Sequence, residues 1–319
     1  MEKMRVGVIG VGNLGQHHAR VYTEIPGVQL VGVADSDLSR AKEVAGRHRG
    51  AAFYQDYRNL LKEIQAVSIV VPTSRHYQVA MDCLQAGLHV LVEKPIAASE
   101  AQAEEMVRLA EARKLVLQVG HIERFNPAVR AAAGYISDPK FVEVIRIAPF
   151  GGRGTDVPVV LDLMIHDIDI ILSFVGSDLE RISAIGFALV SQKEDIANAR
   201  LEFANGCVAN VTASRISAKK ERRIRLFQRQ AYINIDYMKP EVKIYRLKGE
   251  PRGMLDLAKM VEYFEPKMDR VEPLRAELES FVRSVREGRG PLVSGRDGLR
   301  ALRVAVRIMK AIEEHRRKL

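Results

Sequence analysis

Five short apolar runs, Val6–Ile9, Val28–Ala34, Ala66–Val71, Leu88–Val92 and Leu115–Val119, are spread through the first 120 residues with helix-length stretches separating them. Unbroken apolar runs, rather than alternating ones, belong to strands buried on both faces, and such strands form parallel sheets covered by helices on each side. The stretches between them carry helix punctuation. Ser99 with Gln102 predicts a capping box ahead of Ala103–Ala112, and Gly87 stands where a helix would end in the left-handed region. The amino-terminal part, residues 1–122, is therefore expected to be a doubly wound α/β unit.

After Arg124-Phe125-Asn126-Pro127 the pattern changes. Phe141–Ala148, Ile182–Val190, Ile196–Phe203, Cys207–Ser214, Arg222–Gln228, Ala231–Ile235 and Val242–Leu247 read as successive strands with little helix between them. Asn205-Gly206 marks a tight turn between two of these strands. A helix through Val160–Phe174 interrupts the series, and helices Pro273–Glu287 and Leu299–Arg316 close it. Residues 123–319 are thus expected to form an α+β domain with a large, mostly antiparallel open sheet. An open face needs a cover, and a matching sheet from a second subunit supplies one, which predicts a homodimer or homotetramer.

Two domains also follow from the length of 319 residues, which is more than one core comfortably serves. The two cysteines, Cys83 and Cys207, have neither disulfide nor zinc spacing and are expected as packed thiols in a reducing compartment. No metal site is expected. Met1–Arg5 runs directly into the first strand and no apolar run is long enough to span a bilayer, so a cytoplasmic protein without a signal peptide or a membrane anchor is predicted. The net charge of +9 is dispersed: Lys219-Lys220-Glu221-Arg222-Arg223 and His315-Arg316-Arg317-Lys318 are short and lie beside acids. Such a surface suits steering of an anionic small molecule, a diphosphate for example, and nothing resembles a nucleic-acid-binding motif.

Gly10-Val11-Gly12-Asn13-Leu14-Gly15 directly follows the first strand and opens a helix. In that context G-x-G-x-x-G is a dinucleotide-binding loop. The first glycine permits the tight turn, the second lets a pyrophosphate approach the backbone, and the third allows close packing of helix on strand. The helix amino terminus then offers N–H groups to the phosphates. Asp35 closes the second strand about 20 residues further on, where a carboxylate binds ribose hydroxyls and repels a 2′-phosphate, so NAD is expected rather than NADP. Arg40 weakens that preference, because a nearby arginine can hold a phosphate. Asp37 is expected to cap the next helix. Pro72, Thr73 and His76 follow the Ala66–Val71 run at the same edge; the Thr73 hydroxyl and His76 are placed to meet the cofactor, or to serve as a cap and a surface histidine.

Oxidising a secondary alcohol requires a hydride to leave carbon while a proton leaves oxygen, so a base must accompany the nicotinamide. Lys94, after the Leu88–Val92 run, is an ammonium at the edge where open parallel sheets bind ligands, and Glu93 is placed to counter its charge or to hold it. The second element is Asp162-Leu163-Met164-Ile165-His166-Asp167-Ile168-Asp169. In a helix, Asp162 and His166 share one face, so the carboxylate orients the imidazole or binds substrate beside it, and Asp169 is placed to do the same.

These stretches together, Gly10 to Gly15, Pro72-Thr73 with His76, Ala86 to Pro95, Arg124-Phe125-Asn126-Pro127, and Asp162 with His166, resemble the Gfo/Idh/MocA family of oxidoreductases. The resemblance implies an amino-terminal Rossmann domain and a carboxy-terminal α/β domain that assembles through its sheet. It also implies bound NAD(P), with Lys94, Asp162 and His166 as the catalytic set and His166 as acid/base. The cofactor-contacting residues would be Gly10, Gly12, Asn13, Leu14, Gly15, Asp35, Pro72, Thr73, His76, Glu93 and Lys94. Met164 stands where family members commonly have glycine. The segments Val119–Pro127, Val159–Asp169 and Ile224–Gln228 with Ala231–Ile233 further resemble the branch that oxidises UDP-N-acetylglucosamine at its 3-hydroxyl, a step towards amide-linked lipid A. That likeness implies a nucleotide-sugar substrate met by Arg124, Asn126, Arg153, Asp162 and His166. The alternatives are an inositol or free-sugar dehydrogenase of the same family, and a catalytically silent NAD-bound regulator.

Overall fold

The computed structural model describes residues 2–151, 157–249, 260–269 and 271–318. The chain divides into two compact units, residues 1–122 with 272–302, and 123–271 with 303–319.

In the first unit six parallel strands, β1 (Met4–Ile9), β2 (Val28–Ala34), β3 (Ala52–Tyr54), β4 (Ala66–Ile69), β5 (His89–Glu93) and β6 (Leu117–Gly120), lie in the order β3-β2-β1-β4-β5-β6. This is the doubly wound arrangement, and strand order reverses between β1 and β4. All four residues of β4 are buried, as its unbroken apolar run requires. Helices α1 (Gly15–Glu24), α2 (Leu38–Gly46), α3 (Thr73–Gln85) and α4 (Glu100–Ala112) connect the strands. A further helix, α7 (Pro273–Glu287), comes from the far end of the chain, and its Leu278 and Phe281 join Val6, Val8, Val21 and Tyr22 in one buried cluster. Each such side chain is worth about 1.5–3 kcal/mol when fully buried.

Two details differ from expectation. The edge strand β3 has only three residues, mostly exposed, and so leaves no apolar run to read. Ser99 accepts the Gln102 N–H at 3.3 Å, but Gln102 Oε1 has no hydrogen-bond partner among the described residues, so only the serine half of the capping box forms.

The second unit is built on an eight-stranded sheet in the order β14-β13-β12-β11-β7-β10-β9-β8. Its strands are β7 (Pro139–Ile147), β8 (Leu179–Phe187), β9 (Ile196–Phe203), β10 (Val208–Ser214), β11 (Glu221–Gln228), β12 (Ala231–Asp236), β13 (Glu241–Leu247) and β14 (Val261–Phe264). All pairings are antiparallel except β7 with β10. Gly206 takes φ +80° in the β9–β10 turn, where Asn205 Oδ1 accepts the Cys207 N–H at 3.1 Å. Along β7, Val142, Val144 and Arg146 are buried while Phe141, Glu143 and Ile145 are half-buried on the opposite face. On that second face Phe141, Phe227, Tyr232, Tyr245 and Tyr263 occupy paired positions on five adjacent strands, with ring centroids 4.9 to 5.7 Å apart.

The helix expected over Val160–Phe174 starts differently. Val160–Met164 is a π-helical turn in which the Ile165 N–H reaches back to Val160 O, and α6 (Ile165–Val175) follows and ends on Gly176 at φ +60°. The short helix α5 (Pro127–Ala133) and strand β14 were not expected. The last helix, α8 (Gly295–Arg316), begins in the first unit and ends in the second. Both cysteines are free and buried. Among the described residues no helix is long and apolar enough to cross a membrane.

Candidate active site

The glycine loop behaves as three different glycines. Gly10 has φ +86°, and a Cβ there would lie 2.5 Å from Val70 O. At Gly15 a Cβ would stand 1.8 Å from Gly10 O, so helix α1 can meet the end of β1 only with hydrogen in that position. A Cβ at Gly12 would meet nothing within 4 Å, which leaves that side of the loop open for a ligand. Asn13 and Leu14 complete the turn; Asn13 O accepts from Gln16 Nε2 at 3.2 Å, and the Leu14 side chain is exposed.

The loop is shaped by charged groups that follow the second strand. Asp35 Oδ2 accepts the Val11 N–H at 2.8 Å and Oδ1 accepts the Asp37 N–H at 3.0 Å. Arg40 Nε donates to Val11 O at 2.9 Å and its Nη1 to Glu43 at 2.8 Å. One residue of the loop, Val11, is therefore held by both its N–H and its C=O. Asp37 caps α2 as expected, accepting from Ser39 and Arg40. Beside the loop, at the carboxyl ends of β1, β2 and β4, is a cavity of about 640 Å³ lined by Gly12, Asp35, Tyr57, Arg58, Pro72 and Arg75, among others. Open glycine, carboxylate and cavity together fit a dinucleotide. Tyr57 and Arg58 both reach Asp82, at 2.6 and 3.1 Å, and the guanidinium lies over the Tyr57 ring. Sequence reasoning missed Tyr57 and Arg58, because the 3₁₀ turns after β3 carry no periodic signal, and Arg75, which is one polar residue among several in the first turn of α3.

His76 is not a surface side chain. It is buried, with Nδ1 2.8 Å from Pro95 O and Nε2 2.9 Å from Val71 O. Burial pushes its pKa down, against the pull of those carbonyls upward. The ring thus links the end of β4 to the turn after Lys94. Pro72 precedes α3, and Thr73, its first residue, is half-buried. Lys94, also half-buried, follows β5, and its N–H lies 3.3 Å from Glu93 Oε2. Glu93 Oε1 is 3.4 Å from His18 Nε2, and the carboxyl packs where a Cβ on Gly120 would stand 2.8 Å away. In this unit the glycine loop, Asp35, Pro72, Thr73, His76, Glu93 and Lys94 all gather at the carboxyl ends of the strands.

In the second unit Asp162 sits in the π turn and His166 in the first turn of α6, both half-buried. The neighbouring Asp167 is fully buried and grips Arg146 of β7 through two bonds, 2.6 and 2.9 Å. Arg146 also reaches Glu123 at 3.0 Å and lies over the Tyr237 ring. Burial opposes the Arg146 charge, but Asp167 and Glu123 outweigh it and push its pKa up. Asn126 is buried: its Oδ1 accepts the Ala128 N–H as cap of α5, and its Nδ2 donates to Glu123 at 3.1 Å. Asp169 stands 3.6 Å from Arg124 Nη1. Arg153 lies outside the described residues. Arg146, Asp167 and Glu123 were missed, and a buried charge next to a candidate histidine was the available signal.

Comparison with known proteins agrees with this layout. Residues 4–121 match a family described as an oxidoreductase family with an NAD-binding Rossmann fold, and residues 152–319 match its C-terminal alpha/beta domain. The chain belongs to the Gfo/Idh/MocA oxidoreductase family. Among Gfo/Idh/MocA proteins it is 38% identical over 323 residues to the UDP-N-acetylglucosamine 3-dehydrogenase of Acidithiobacillus ferrooxidans, covering 98% of each chain. The solved structure of that enzyme, GnnA, matches with a TM-score of 0.90 at 37% identity, covering 98% of this chain and 99% of that one. The myo-inositol 2-dehydrogenase of Thermotoga maritima is 26% identical over 98% of this chain and 97% of its own. A Gfo/Idh/MocA member with this glycine loop is built for a nicotinamide cofactor.

Proposed function

We propose that this oxidoreductase oxidises a secondary hydroxyl of a nucleotide sugar, UDP-N-acetylglucosamine at its 3-hydroxyl, to the ketone. The observation that carries the proposal is the end-to-end similarity to a UDP-N-acetylglucosamine 3-dehydrogenase in a chain that has its own Lys94, Asp162 and His166. NAD, when bound, supplies the hydride acceptor. Gly10, Gly12 and Gly15, with the Asn13-Leu14 turn, hold its pyrophosphate, and Asp35 accepts from its ribose. The engagement of Arg40 with Val11 O and Glu43 supports NAD over NADP, since that guanidinium is already committed.

His166 takes the alcohol proton as general base, and Asp162 orients it or the sugar. Lys94 places an ammonium beside the developing alkoxide, and His76 positions Lys94 through the Pro95 carbonyl. Arg124 meets the anionic part of the substrate, with Asn126 holding the segment that carries it; Arg153 is a further candidate for that contact. A cytoplasmic location suits a nucleotide-sugar substrate and two free thiols. Self-assembly uses the open face of the second sheet.

Purified protein given NAD and a panel of UDP-sugars, free sugars and inositols tests the substrate, with the ketone trapped by an amine-transferring partner. NADH should appear with UDP-N-acetylglucosamine. NADH from inositol and from no UDP-sugar would instead favour a cyclitol dehydrogenase, and NAD binding with no turnover on any polyol a silent regulator. His166→Asn should lower kcat about 10²–10⁴-fold, the usual contribution of general base catalysis. Unchanged turnover would remove His166 from the proton transfer.

A further inference from the structure

A polar seam runs through the apolar layer between the first sheet and helices α1 and α7. Ser68 of β4 shares a hydrogen bond of 2.8 Å with the Tyr22 hydroxyl of α1. One turn earlier on α1, His18 is fully buried against Glu93 of β5. Gln118 of β6 is fully buried too, and its Nε2 donates to the backbone carbonyl of Glu277 on α7 at 3.2 Å. The side chain of Glu277 has no exposure at all. Neither of its carboxyl oxygens, and neither ring nitrogen of His18, makes a hydrogen bond with any described residue.

Strand register explains the gathering. Ser68 pairs with Leu91 and Glu93 with Gly120, so alternation puts Ser68, Leu91, Glu93, Gln118 and Gly120 on one face of the sheet. Leu91 belongs to the same buried cluster as Tyr22 of α1 and Leu278 of α7, which identifies the face. Tyr22 of α1 and Glu93 of β5 interact electrostatically with Glu277, and His18 of α1 lies 3.4 Å from Glu93; Ser68 and Gln118 carry no charge.

A carboxylate buried without a donor is strongly disfavoured, and such a group keeps its proton. Burial, reinforced by the charge of Glu93, pushes the Glu277 carboxyl well above the usual carboxylate range. Within the trio of His18, Glu93 and Glu277, only Glu93 reaches the surface, its side chain 13% exposed at the carboxyl end of β5 next to Lys94.

We propose that His18, Glu93 and Glu277 are one buried acid–base site, which holds a proton in the free protein and releases it to solvent through Glu93 when the cationic nicotinamide of NAD arrives at the carboxyl end of β5. The site rests on the cofactor reading proposed above. On NAD binding the Glu277 carboxyl gives its proton to solvent by way of Glu93, and no electron moves. NADH has a neutral ring and leaves the proton in place. NAD affinity therefore rises with pH across the range in which the free site is protonated, whereas NADH affinity stays flat.

Infrared spectra of the free protein near neutral pH should contain the carbonyl stretch of a protonated carboxyl, lost in Glu277→Gln, which is a neutral isostere. Titration calorimetry in two buffers of different ionisation enthalpy should show up to one proton released per NAD bound and none per NADH. Glu277→Gln should still bind NAD and abolish that release. A wild-type spectrum without the band, a band that persists in Glu277→Gln, or equal proton exchange with both cofactor forms would overturn the site. Binding of NAD without release defeats this proposal alone, while absence of NAD binding defeats the cofactor reading as well.

Discussion

A methyl group at residue 15 and one at residue 12 have opposite consequences, though both replace a glycine of the same loop. At 15 it collides with the Gly10 backbone at 1.8 Å; at 12 it points into open space. Gly15→Ala should therefore unfold at markedly lower denaturant, by about 2 kcal/mol or more, because backbone cannot yield as a side chain can. Gly12→Ala should keep wild-type stability and lose NAD affinity, which calorimetry alongside urea unfolding will separate. These residues were legible in sequence because the chemistry needs them at fixed spacing after a strand, and Asp35 likewise. Tyr57, Arg58 and Arg75 were not, since only the folded chain brings them to the cavity. His76 was placed at the right edge, but its burial and its two carbonyl contacts come from the Pro95 turn, whose path no pattern in the sequence reports.

Elements carry the candidate residues, and buried charge ties them down. Asp167 and Arg146 lock α6 to β7, so Arg146→Met leaves a fully buried carboxylate with its principal partner gone. Removal of one partner of a buried pair costs about 3–5 kcal/mol, and guanidinium chloride unfolding of the variant should show a loss of that size. Retained stability would show that the pair does not anchor the helix. Two histidines tie the strands of the first sheet: His76 links the ends of β4 and β5, and His89 Nδ1 accepts the Val116 N–H at 2.9 Å before β6. Burial depresses the pKa of both below the ordinary value near 6.5. Their contribution is complete above that value and is lost as pH falls towards the depressed folded values, where the unfolded chain binds more protons. Urea midpoints should accordingly fall between pH 7 and pH 5, and less steeply in His76→Gln. At this scale the long buried strands were read correctly from their apolar runs. The π turn was not, because V-L-D-L-M is as compatible with an α as with a π hydrogen-bond pattern, and β3 and β14 are too short to show an alternation.

At the scale of the whole molecule, the ring ladder across β7, β11, β12, β13 and β14 is the largest aromatic feature left partly open among the described residues. If two chains pair through it, Tyr232→Glu with Tyr245→Glu should convert the sedimenting species to monomer while NAD binding persists. An unchanged sedimentation coefficient would place the contact elsewhere. The open sheet was foreseeable from successive strands with little helix between them, whereas the return of residues 272–302 to the first unit was not: an amphipathic helix announces which side is apolar, not which sheet it will cover. That return has a consequence during synthesis. When the ribosome has finished the sixth strand, the helix that shields Tyr22 and its apolar neighbours is still about 150 codons away. The nascent nucleotide-binding half must wait, one side only partly covered, through translation of the entire second sheet, and in that interval it is most exposed to chaperones and proteases.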